Sequence, residues 1–210
     1  MRNMKFIFFA FSIFISCVLN AGKYNQIINI GDQMPEFSNL PSVSGKSISS
    51  TDLTEDVIVL VLLANHCPWV RGMDQDLIKL VDSFAGKSVR VVGFSVNHRE
   101  DDRLDAMKVH AKKVGYNFSY VFDDSQELGR KLGATRTPEY YVFDKNRKLA
   151  YMGLLYNSPA KMNRDGSIRH INGEVTDFYV ADAVNALLAN NKPTVDSQKE
   201  IIVNDKKPHI

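Results

Sequence analysis

Cysteine is scarce in this chain, with Cys17 and Cys67 the two in 210 residues. If the first is removed with a leader, no internal disulfide can form, and Cys67 is left inert or reactive. Charge of one sign is lacking too. The formal net charge is +2, and no basic run interleaves with aromatics, which argues against a nucleic-acid partner. The longest apolar run is well short of the ~20 residues that span a bilayer. No glycine-rich loop is present to cradle a phosphate. His98, His110, His170 and His209 are scattered, so with one cysteine no metal site is supported. "FDDSQE" lacks the glycine and spaced ligands of a calcium loop. No cofactor is expected, and there is no internal repeat.

What is present suits one domain with appendages: 44% of residues are hydrophobic and 24% charged, enough for a packed core. Arg2 and Lys5 make a basic start, and "FIFFAFSIFIS", Phe6–Ser16, is an apolar run of roughly eleven residues, the size of a signal-peptide core. "LNA" offers small residues for cleavage near Ala21. A lipoprotein cut before Cys17, with a lipid anchor on that cysteine, is a variant, and an uncleaved anchor is another. In each case the domain lies outside the cytoplasm, in a periplasm or secreted. The expected organisation is a signal peptide at 1–21, a domain at 22–190 and a polar tail at 191–210.

Along the domain, Tyr24–Ser50 reads as loop with short extended pieces. "DVIVLVLLA" is continuously apolar and rich in valine, as a strand buried on both faces should be. "WVRGMDQDLIKLVDSFAG" carries Val70, Met73, Leu77, Leu80, Val81 and Phe84 at helical spacing. "SVRVVGFSVN" is a second strand. "EDDRLDAMKVHAKKVGY" is a second helix with acids at its start and Gly115 as its stop. "SYVFDD" is a short strand, "SQELGRKLGA" a helix capped by Ser125, and "EYYVFDKNRKLAYMG" two strands turned at "DKNRK". A last helix places Phe178, Ala181, Val184 and Leu188 on one face, and "EIIV" in the tail offers a strand for a sheet edge. Strands alternating with helices and closed by a hairpin imply an α/β fold: a mixed central sheet with helices on both faces.

Cys67 falls where the first buried strand gives way to a helix, and ligands gather at the carboxyl ends of strands in such sheets. The helix dipole favours a thiolate there, and Pro68 fits the first helical turn. A buried, inert cysteine is the competing reading. His66 next to it is a stabiliser of the thiolate, an acid, or an ordinary turn histidine. Trp69 packs on the sheet or lines the site mouth. In "GATRTPEYYVFD", Thr137-Pro138 precedes a strand, where a proline is cis or an ordinary trans strand opener. Glu139 reads as an exposed charge at a strand edge, with tuning of a partner groove as the alternative.

Several segments resemble the thioredoxin-like redoxin superfamily, near its alkyl-hydroperoxide-reductase and thiol-specific-antioxidant branch and its exported thiol-disulfide proteins. "GDQMPEFSNLPSVSGKSISSTDL" is similar to the family's opening hairpin, and "VLVLLANHCPWV" to its strand and active-site turn. "VVGFSVN" and "VFDDSQELGRKLGATRTPEYYVFDKNRKLAYMG" are similar to its second strand and its cis-proline segment with closing hairpin. The likeness runs from Gly31 to Asn190 and implies a cis Pro138 facing the thiol.

One departure matters. Many relatives carry Cys-x-x-Cys, and a close subgroup reads Cys-Asn-His-Cys-Pro, where this chain has "ANHCP". Ala64 removes the usual attacking thiol, so dithiol cycling within one chain is closed. The resemblance then implies a peroxiredoxin-like antioxidant enzyme in which Cys67 attacks a peroxide and an external thiol reductant recycles it. Peroxiredoxins hold peroxide with a hydroxyl and an arginine; Ala64 has no hydroxyl, and the arginine's place falls near Pro138, so Arg136 or Arg71 would have to substitute for it. The alternatives are monothiol disulfide exchange, with Arg136, Thr137, Pro138, Pro68 and Trp69 binding the partner, and a non-catalytic binding module.

Overall fold

The computed structural model describes residues 25–196. The leader, Cys17, His209 and the "EIIV" segment lie outside the described residues.

Val57–Leu62 (β3) forms the centre because its six residues are all apolar and can be buried on both faces. It runs parallel to Val89–Ser95 (β4), which runs parallel to Ser119–Phe122 (β5). On its other side it pairs antiparallel with Glu139–Phe143 (β6), which pairs antiparallel with Leu149–Gly153 (β7). The order β5-β4-β3-β6-β7 is the mixed sheet expected from the sequence. Two residues each from Leu40–Pro41 (β1) and Ser47–Ile48 (β2) make a small hairpin ahead of it.

Alternation along β3 divides the core. Val57, Val59 and Val61 face Pro68–Ser83 (α1), Leu104–Val114 (α2) and Tyr179–Leu188 (α4). Ile58, Leu60 and Leu62 face Glu127–Lys131 (α3) and the opening segment around Ile28 and Met34. Helices thus lie on both faces.

Three local expectations change. The acids Glu100, Asp101 and Asp102 form a separate 3-10 turn, and α2 begins at Leu104. Ser125 does accept the Glu127 N–H at 3.1 Å, but buried Asp123 accepts the Leu128 N–H at 2.9 Å and so shares the capping of α3. In α4 the buried face is Val180, Ala183 and Val184, while Phe178 is 51% exposed, because it precedes the helix and does not share its phase. The first residues of the tail are docked: the Met152 N–H of β7 donates to the Asp196 carbonyl at 3.0 Å.

One element had no counterpart in the sequence reading. Ala160–Met162 (β8) and Ile168–His170 (β9) form a hairpin that packs on α1. Contact is close because residue 72 is glycine: a Cβ there would stand 2.5 Å from the Ala160 carbonyl oxygen.

Candidate active site

Three consecutive side chains of the turn between β3 and α1 are tied to three different parts of the fold. Asn65 Nδ2 donates to the Asp101 carbonyl at 2.7 Å, and its Oδ1 accepts the Tyr120 hydroxyl at 3.1 Å. The His66 ring meets Asp102 through Nδ1, and the His66 N–H donates to Asp102 Oδ1 at 3.2 Å. Cys67 Sγ donates to the Thr137 carbonyl at 3.4 Å. The sulfur is thereby aimed at the loop that precedes β6.

Cys67 is the N-cap of α1, with Pro68 in the first turn as the sequence implied. The thiol therefore sits at the positive end of a sixteen-residue helix. The residue is buried, with 8% of its surface exposed. The Thr137–Pro138 peptide bond is cis, and Pro138 is buried while Thr137 is half-buried. Trp69 is half-buried against the core, and Lys161 from β8 lies over its ring at 5.4 Å.

The one hydrogen bond of Cys67 Sγ goes to the Thr137 carbonyl, and neither arginine considered for peroxide binding makes one to it among the described residues. Arg71 and Arg136 are exposed, and neither forms an ion pair with a described residue. Ala64 is fully buried and contributes no polar atom. Among the described residues the polar contact of the thiol is a backbone carbonyl.

Asp102 is the residue the sequence reading missed, and Glu139 is one it misplaced. Asp102 is fully buried and its carboxylate is given over to His66, which fixes the imidazole through Nδ1. Glu139 is 4% exposed, contrary to the expected surface charge. It opens β6, an interior strand, opposite Leu62, and its Oε2 accepts the Thr135 N–H at 3.1 Å. That bond spans the cis-proline loop and braces it. A local sign existed for Glu139, an acid at the head of the apolar run "EYYVF"; for Asp102 there was none.

Asp101 lies on the rim. The Arg99 guanidinium donates to both its oxygens at 3.0 and 3.1 Å and holds its carboxyl below the usual carboxylate range. His66, Asp101 and Asp102 bring donor atoms within 4.8 Å of one another, but these atoms already serve one another and Arg99. The trio therefore reads as a hydrogen-bonded brace for the turn. A second buried carboxylate, Asp74 of α1, accepts the Tyr116 hydroxyl and lies 3.5 Å from His110 Nε2. A cleft of about 420 Å³ lies at the far end of α1 beside Phe84 and Phe118, away from the thiol.

Comparison with known proteins agrees with this architecture. A family model described as Redoxin matches residues 29–169, more than half of the chain. No curated protein matches it. A hypothetical protein from Sinorhizobium meliloti 1021 is 26% identical with a TM-score of 0.71, covering 81% of this chain and 92% of that one. An uncharacterized conserved protein from Geobacillus kaustophilus is 27% identical with a TM-score of 0.71, over 82% and 90%. A thiol:disulfide interchange protein of the thioredoxin family from Chlorobium tepidum TLS is 24% identical with a TM-score of 0.51, over 58% and 84%. The last likeness shows the fold, which is thioredoxin-like.

Proposed function

The chain belongs to the redoxin family, and from that premise we propose that it is an exported thiol oxidoreductase working through the single sulfur of Cys67, by disulfide exchange with a partner. The observation that carries this reading is the placement of Cys67 Sγ, at a helix start and 3.4 Å from the Thr137 carbonyl beside a cis proline. The helix start stabilises negative charge on sulfur. The loop at Thr137 offers backbone groups to an extended partner segment. The thiolate attacks one sulfur of a partner disulfide, a mixed disulfide forms, and the partner's other sulfur leaves as thiolate. An external thiol then attacks the mixed disulfide and frees Cys67. With Ala64 in the other position, no thiol of this turn can resolve the adduct.

Disulfide sulfur is preferred over peroxide oxygen as the electrophile because no hydroxyl or guanidinium among the described residues hydrogen-bonds to Sγ. Peroxide attack, giving a sulfenic acid and water from hydrogen peroxide, is the reading that the same test can bring forward. The full chain is treated either with hydroxyethyl disulfide or with hydrogen peroxide plus dimedone, and peptide mapping reads Cys67 separately from Cys17. The expected result is a mixed disulfide at Cys67 that forms faster than the trapped sulfenic acid and is absent in Cys67→Ser. A faster sulfenic acid makes the protein peroxidase-like. No adduct from either reagent makes it a binding module.

A further inference from the structure

Three cations near Cys67 are paired with no carboxylate among the described residues. Arg71 is one helical turn from the sulfur-bearing residue, its N–H donating to the Cys67 carbonyl at 3.0 Å. Arg136 immediately precedes Thr137, whose carbonyl touches Sγ. Lys161 lies over Trp69, two residues from Cys67. None of the three forms an ion pair with a described carboxylate. Elsewhere Arg99, Lys108 and Lys131 each meet one, while Lys87, Lys112 and Lys113 do not.

The β8–β9 hairpin adds a sharper sign. Lys161 and Arg169 are directly opposed in its register. Opposed residues of an antiparallel pair share a face, and like charges there are destabilising. Arg164 stands in the connecting turn, and Asp165, the acid of that turn, accepts from Ser167. A hairpin selected for stability alone would place an acid opposite Lys161.

The nearby carboxylates do not cancel this charge. Asp102 serves His66, Asp101 serves Arg99, and Asp76 serves Lys79 and Tyr156. Glu139 is buried behind the loop. Glu100 is exposed in the 3-10 turn that also carries Asp101 and Asp102. The site is therefore flanked by cations contributed by α1, the cis-proline loop and the hairpin.

Resting on the single-thiol reading above, we propose that Cys67 exchanges with a disulfide carried in an extended, acidic segment of a partner protein. The cis-proline loop meets Sγ through the Thr137 carbonyl, and the hairpin packs on the first turns of the helix that Cys67 starts. An extended segment laid across the Thr137 loop would set its flanking carboxylates against Arg136 on one side and Lys161 and Arg169 on the other. Charge complementarity of this kind raises association rates by roughly 10- to 1,000-fold at low salt and fades as ions screen it.

The test uses the full chain and three synthetic peptides, each with one cysteine activated as a 2-pyridyl disulfide and flanked by glutamates, serines or lysines. Cys67 thiolate attacks the peptide sulfur, the S–S bond breaks, and 2-thiopyridone leaves and is read by absorbance, with adducts mapped to Cys67. The expected order is glutamate over serine over lysine, with at least about a tenfold span at low salt that collapses near 1 M salt. Arg169→Glu should shrink the span several-fold while leaving Tm unchanged or higher, since it relieves the like-charge pair. Equal rates for the three peptides overturn the acidic-partner proposal and leave the single-thiol reading standing. No reaction with the serine peptide overturns the single-thiol reading itself. Oxidised glutathione outrunning the glutamate peptide overturns the assignment of a protein segment. A fall in Tm with Arg169→Glu overturns the account of the Lys161–Arg169 pair.

Discussion

Replacing Gly72 with alanine separates local from tertiary control of α1. Gly72 is inside a sixteen-residue helix, where alanine gains about 1 kcal/mol over glycine from backbone entropy alone. The tertiary structure opposes that gain. A Cβ at residue 72 would lie 2.5 Å from the Ala160 carbonyl oxygen, 2.7 Å from its carbon and 2.8 Å from Lys161 Cα. Ordinary contact begins near ~3.5 Å, so the β8 backbone must retreat by roughly 1 Å. All three atoms are backbone, so no side chain can swing aside. Overpacking of this kind costs about 1–3 kcal/mol, and detaching buried Ala160 adds to it. The net expectation is a loss of about 1–2 kcal/mol in urea denaturation, the opposite sign from helix propensity. Trp69, the one tryptophan of the chain, lies under Lys161, so its emission reports the hairpin directly. A red shift should accompany the loss of stability. If Gly72→Ala gains about 1 kcal/mol with unchanged emission, the hairpin is not seated on α1 and the reasoning fails.

Three further outcomes follow from other parts of the fold. Asp123→Ala should cost about 2 kcal/mol in the same denaturation, because buried Asp123 accepts from the Leu128 N–H and the Ser125 hydroxyl at 2.9 and 2.6 Å; a change under half that size would deny it the capping role. Asp102→Asn should slow Cys67 modification by hydroxyethyl disulfide by about tenfold and alter its pH profile, since the acid holds the His66 ring through Nδ1; an unchanged profile makes the pair structural only. Burial, reinforced by the Asp74 charge, pushes the hydroxyls of Tyr116 and Tyr140 far above their ordinary 10.0, and burial with the Asp102 charge does the same for Tyr120. Below pH 10 these tyrosines are neutral in both states and the stability is intact; above it the unfolded chain releases protons that the folded chain keeps. Stability should therefore fall by about 1.4 kcal/mol per pH unit for each tyrosine, and phenolate absorbance should appear together with loss of structure. Phenolate that forms while the fold persists would show these hydroxyls to be open to water.

The sequence was sufficient wherever the deciding interaction is local or periodic. The apolar run 57–62 had to be a central strand, the three- and four-residue spacing of Val70, Met73 and Leu77 had to face it, and Cys67 followed as the residue where strand becomes helix. The Thr137–Pro138 bond is cis, as family likeness implied. What remained hidden depends on which elements become neighbours. His66 and Asp102 are 36 residues apart, and nothing in "HREDD" separates the acid that turns inward from the two beside it. Glu139 looked exposed because alternation does not tell an edge strand from an interior one; pairing of β6 with both β3 and β7 buried it. The β8–β9 hairpin is three residues a strand and polar, too weak a pattern to read, and it is held in place by packing on Gly72 and Trp69. Position along the chain put a sulfur at the helix start, and long-range packing supplied the brace behind it and the charges around it, because those contacts exist only once the sheet order brings distant segments together.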